Sequence, residues 1–137
     1  VKRFGLLLVT VILAGCTSFE KDWNSASTAT TGGIAGRWVG TWQNTNNTHG
    51  GVLKAVLKPD GTNEFAARFY AEWGSHSGSF KTTLRGHFEN DTFLFDSSKR
   101  IMGFKITTRG NATPTDFFAT YSSRFDNGTF TLKRPEN

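Results

Sequence analysis

From residue 36 onward, apolar and polar residues alternate in short runs separated by turn signals. A period of two predicts half-buried strands rather than helices. "RWVGTW" places Trp38, Gly40 and Trp42 on one face, and "GVLKAVLK" sets Leu53, Ala55 and Leu57 against Lys54 and Lys58. "EFAARFYAEW" is the clearest run, with Phe65, Ala67, Phe69, Ala71 and Trp73 on one side and Arg68, Tyr70 and Glu72 on the other. The same parity groups Phe80 with Leu84 and Phe88, Phe93 with Phe95, and Phe104 with Ile106. It also groups Phe117 with Ala119 and Tyr121, and Phe130 with Leu132 and Arg134. Pro59-Asp60-Gly61 presets a turn, because proline holds φ and glycine admits positive φ. Asn127-Gly128 is a strong hairpin signal.

Counted this way the chain holds about eight strands with short connections, and no stretch carries a useful helical period. Consecutive hairpins make a meander, and eight strands suffice for a meander to close and remove its exposed edges. The expected fold is therefore all-β, an eight-stranded antiparallel up-and-down barrel of lipocalin-like form over residues 36–135; a two-sheet sandwich is the alternative. Meander topology sends the segments 44–51, 74–77, 97–103 and 122–127 to one end. It sends 59–62, 89–91 and 110–115 to the other, where the chain also enters.

Ahead of the strands the pattern is different. Lys2 and Arg3 precede an apolar run over 4–14, and small residues follow. A run of about eleven residues is too short to span a bilayer, which needs roughly twenty. A charged start, a short apolar stretch and a small-residue site describe an export signal over residues 1–15. The single cysteine of the chain, Cys16, cannot form an internal disulfide. Leu13-Ala14-Gly15-Cys16 resembles the lipobox of bacterial lipoproteins. That resemblance implies a diacylated thiol at Cys16, cleavage before it and anchoring in the cell envelope; Thr17 in place of aspartate favours the outer membrane. Residues 16–35 read as a flexible lipidated tether, since "NSASTATTGG" has too little apolar surface to order itself. Phe19 and Trp23 are the exceptions and suit the headgroup level of a membrane.

Gly36-Arg37-Trp38 at the first strand and Arg134 at the end of the last are similar to the calycin pattern of lipocalins and fatty-acid-binding proteins. The resemblance implies that Trp38 plugs one end and that the Arg134 guanidinium packs over its indole. Avidin-like barrels also open with Gly-x-Trp, so the superfamily stays open. The run "ATPTDFFATYSSRFDNGTF" is similar to the C-terminal part of small exported bacterial proteins without an assigned activity, and implies no function.

Charge adds little. The formal net charge is +5, and loss of Lys2 and Arg3 with the leader leaves 14 basic residues against 11 acidic, or +3. Basic residues are scattered among acidic ones, so no nucleic-acid footprint is expected. His49 and His76 fall at the same end but lack the carboxylate spacing of a zinc site, so no metal or other cofactor is expected. His87 reads as an exposed strand residue. No nucleophile–base set or paired carboxylates emerge, which makes an enzyme the weaker expectation. Two binding readings remain, beside a purely structural role in the envelope. In one, the loops at the far end meet an envelope macromolecule through His49, His76, Lys99, Arg100 and Arg124, the cations suiting an acidic partner. Small lipoprotein barrels that inhibit lysozyme share that design by shape alone. In the other, a small apolar ligand sits inside the barrel against Trp42, Trp73 and Tyr121.

Overall fold

A computed structural model describes residues 18–26, 33–101 and 103–136. The expected leader, residues 1–15, and Cys16 lie outside the described residues. Eight strands follow in chain order: β1 (Gly36–Asn44), β2 (Gly50–Pro59), β3 (Glu64–Trp73), β4 (His76–Glu89), β5 (Thr92–Ile101), β6 (Phe104–Ala112), β7 (Asp116–Ser122) and β8 (Asn127–Lys133). Each pairs antiparallel with the next, and β1 pairs with β8 from Val39↔Lys133 to Asn44↔Gly128. The result is a closed eight-stranded up-and-down β-barrel. Closure gives the first and last strands partners on both sides, which an open meander leaves as exposed edges.

The inward parity builds the core. Trp38, Leu53, Ala55, Phe69, Leu84, Phe93, Phe117 and Leu132 are all essentially inaccessible. Rings meet across the barrel axis: Phe69 of β3 lies 6.3 Å from Phe117 of β7 and 5.6 Å from Phe130 of β8, centroid to centroid. Trp38 of β1 approaches Phe117 at 5.8 Å. Strands on opposite walls are thus bridged by side chains, as an eight-stranded barrel is just narrow enough to allow.

The same parity runs out at the rims. Trp73, Phe88 and Phe104 share the phase of the core yet are 44%, 45% and 47% exposed, because each lies beyond the layer where opposing walls meet. Phe88 still covers the bottom of the core, 4.9 Å from Phe93.

The expected flexible tether differs in part. Residues 18–25 form a short helix, α1, against the outside of β1, β2 and β3. Phe19, expected at the headgroup level, is only 3% exposed and stacks on Tyr70 at 5.4 Å, so it is buried on the barrel wall instead. Trp23 lies beside Phe19 and receives two cations over its ring, Arg37 at 5.4 Å and Lys54 at 5.2 Å. Asp22 takes a 2.6 Å ion pair from Arg68 and a 3.3 Å pair from Lys58. The Arg68 hydrogen bond, helped by Lys58 and opposed by burial, holds the Asp22 carboxyl below its ordinary value of 3.8. Outward residues of β2 and β3 are therefore covered by α1, and Val56 is 1% exposed. Burying one phenylalanine contributes roughly 1.5–3 kcal/mol, enough to order a segment whose composition alone would leave it loose.

Candidate functional site

The barrel has two unlike ends. At the end where the chain enters, Arg134 lies over Trp38, its guanidinium carbon 4.0 Å from the ring centroid. Its nitrogens donate to three main-chain carbonyls: Pro114 at 2.9 Å, Arg37 at 3.0 Å and Gly33 at 2.8 Å. The Trp38 indole nitrogen donates to the Ile34 carbonyl at 2.9 Å. Burial lowers the Arg134 pKa from its ordinary value. A planar fork suits this task, since it reaches several acceptors while stacking on an indole. This end is a built plug, tied to the main chain by Arg134 and Trp38.

The distal end holds the loops 45–49, 74–75 and 123–126 and the tip joining β5 to β6. Its mouth is narrowed by polar and aromatic groups. The Trp42 indole donates to the Glu72 carbonyl at 2.8 Å. Gly51 makes this possible, because a Cβ there would fall 1.8 Å from the same carbonyl oxygen. Tyr121 stacks on Phe130 at 5.0 Å over Gly128, where a Cβ would meet the Tyr121 hydroxyl at 2.4 Å. Asn44 donates to one Asp126 carboxylate oxygen, and the Tyr121 hydroxyl donates to the other at 3.4 Å. Trp42 and Tyr121, expected as contacts for an internal ligand, are thus engaged in holding strands together at the mouth. Trp73 is exposed and sits 6.3 Å from the His76 ring.

Burial first, and the Asp126 charge second, push the Tyr121 phenol up from 10.0 to about 12. A raised acid pKa means that the neutral phenol is favoured by folding. Its contribution is complete below pH 10 and is lost as pH rises through about 12. An alkaline titration of wild type should lose about 2 kcal/mol in that window. Tyr121→Phe should lack this loss, as followed by urea midpoints at stepped pH. Equal alkaline loss in both proteins would remove Tyr121 as the cause.

The distal rim carries the cations expected there. Lys99, Arg100 and Arg124 are exposed, as are His49 and His76. Arg100 reaches the Gly103 carbonyl at 3.3 Å, so it braces the β5–β6 tip. His49 and His76 lie on different segments, one before β2 and one opening β4. Among the described residues no group of three or more His, Cys, Asp or Glu converges as a metal set. His87 is exposed beside Glu89, 3.3 Å away.

One feature of the rim escaped the sequence pattern. Phe125, in the β7–β8 loop, is 69% exposed, and its ring meets Phe104 edge-on at 5.0 Å. Arg124 lies 5.6 Å over the Phe125 ring. The loop is held by Ser123, whose hydroxyl accepts from the Asp126 amide at 3.1 Å while its own amide donates to the Asp126 carbonyl at 2.8 Å. A phenylalanine at the tip of a tight, well-bonded loop gains nothing from the core. The available signal was its position: Phe125 stands outside any alternating run, next to an arginine, in a turn.

Comparison with family models, curated proteins and solved structures finds no match to this chain.

Proposed function

We propose that this protein is a bacterial envelope lipoprotein, acylated at Cys16, whose calycin-like barrel is a non-enzymatic binding module. It recognises an acidic envelope macromolecule with its distal rim. The observation that supports this most is the exposed Phe104–Phe125 pair with Arg124 laid across it. Large rings exposed beside arginine are the composition of interface hot spots, where an aromatic anchor is flanked by a charge that sets register. Lys99 and Arg100 extend the same positive rim. Rings that bridge the lumen favour this reading over an internal apolar cargo.

Two measurements test it. Incorporation of a palmitate analogue should occur in wild type and vanish in Cys16→Ser; labelling that persists would exclude acylation at this residue. Crosslinking from isolated envelopes should trap a specific acidic species, weakened at high salt. Arg124→Ala with Phe125→Ala should lower its yield at least about tenfold, the effect of losing one hot-spot pair. The exposed His87→Ala should leave the yield unchanged. Undiminished capture by the double variant would overturn the distal reading and leave the anchor unaffected.

A further inference from the structure

The barrel wall is not uniform. β4 is fourteen residues long, yet it pairs with β5 only over Arg85–Glu89 against Thr92–Asp96. Its earlier part, 76–85, pairs with β3, and 97–101 of β5 pairs with β6. The two strands therefore part company above Arg85 and Asp96. Beside this parting, bounded on its other side by α1, lies a cleft of about 790 Å³. That volume is in the range of small-molecule sites and far exceeds what one small ion fills.

The cleft is strongly polar in one sense. Lys58, Arg68, Lys81, Arg85 and Lys99 line it, against Asp22 and Asp96. One of the two acids is offset by ion pairs. Asp22 is bonded by Arg68 and Lys58, and Asp96 stands in register between Arg85 and Arg109. Arg85 also pairs with Glu64 at 3.0 Å. Lys81 and Lys99 have no ion-pair partner among the described residues. Arg68, whose side chain is 15% exposed, keeps its Nε buried without a hydrogen-bond partner. Thr83 and Ser98 add accessible hydroxyls, and Val56 and Ala67 are buried beneath them.

We propose that this cleft binds a phosphate group carried on a small ligand, with Lys81 and Arg85, backed by Arg68, holding the phosphate. Several donors from adjacent strands match an anion with three acceptor oxygens better than a single carboxylate. The site is on the side of the barrel and shares only Lys99 with the distal rim. The phosphate has two sources, a lipid headgroup or a free phosphate ester.

The test is calorimetric titration of the full chain held in a non-ionic, phosphate-free maltoside detergent. Three ligands are compared: inorganic phosphate, glycerol 3-phosphate and dioctanoyl phosphatidic acid, with dioctanoylglycerol as the phosphate-free control. Saturable binding of phosphatidic acid alone identifies a lipid headgroup. Comparable binding of glycerol phosphate or inorganic phosphate identifies a free phosphate ester. Lys81→Ala with Arg85→Ala should weaken binding at least about tenfold, as expected for lost charge-assisted bonds. Lys81→Glu should abolish it. Lys133→Ala, whose ammonium pairs with Asp116 away from the cleft, should bind as wild type. Lys81 and Arg85 are exposed, so near-ultraviolet circular dichroism should show both cleft variants folded. No saturable binding by any phosphate ligand, equal binding by dioctanoylglycerol, or full binding by the Lys81→Ala/Arg85→Ala variant would overturn the proposal. Loss of rim-dependent crosslinking would leave it standing, because neither Arg124 nor Phe125 lines the cleft.

Discussion

Arg134→Ala should destabilise the barrel by about 3 kcal/mol or more. Three main-chain carbonyls lose a charged donor at once, each such bond contributing roughly 1.5–3 kcal/mol before discounting for partial exposure. The indole face of Trp38 also loses a cation, a further 0.5–2 kcal/mol or so. The plug joins segments far apart in sequence: Gly33 and Arg37 before and within β1, and Pro114 between β6 and β7. Its loss should therefore loosen closure as a whole rather than one hairpin. Arg134→Lys should recover less than half of the loss, because an ammonium cannot span the three acceptors in one plane. Urea unfolding followed by tryptophan emission gives the free energies. A double-mutant cycle with Trp38→Phe then isolates the stacking contribution. A cost below about 1 kcal/mol for Arg134→Ala would mean that the plug contributes little to closure, and surface-like screening would be the reason.

The second large effect is expected at Phe69. Its ring lies at the centre of the lumen, stacked on Phe80 at 5.1 Å and reaching Phe117 and Phe130 across the axis. Phe69→Ala should cost about 3–5 kcal/mol, combining lost transfer energy with the void left behind. The same variant separates the two binding readings. Wild type, with rings meeting across its axis, should not take up benzene-sized apolar probes. Phe69→Ala should gain such binding if the protein stays folded, as dry engineered cavities do. Phe69→Leu, a smaller change, supplies the same comparison if the alanine variant unfolds. Tight probe binding by wild type would count against a filled lumen and restore the internal-cargo reading, with Trp42, Trp73 and Tyr121 as its contacts.

Strand parity was legible because it is local. Alternation assigns each residue of a strand to one face, so Phe65, Ala67 and Phe69, or Phe117, Ala119 and Tyr121, are inward once the strand exists. The phase that puts Arg134 with Phe130 and Leu132 was readable in the same way, as was its placement at the end where Trp38 enters. What parity cannot give is depth. Trp73, Phe88 and Phe104 have the inward phase and lie at the rims, because a residue is buried only where an opposite wall comes near. Nor could it give α1. Residues 18–25 lack a long helical period, and their order comes from Arg68, Tyr70, Lys54 and Lys58, all on strands distant in sequence. The Phe104–Phe125 pair and the phosphate cleft are of the same kind, each assembled from segments that only folding brings together.

By itself, then, the order of apolar and polar residues determined a meander of eight strands, its inner face and which loops share an end, since each depends on neighbours within a hairpin. The tertiary structure alone decided how far the walls stay paired, where β4 leaves β5, which outward residues a helix covers and which rings reach solvent. Those depend on distances between segments far apart along the chain, and a local pattern carries no information about them.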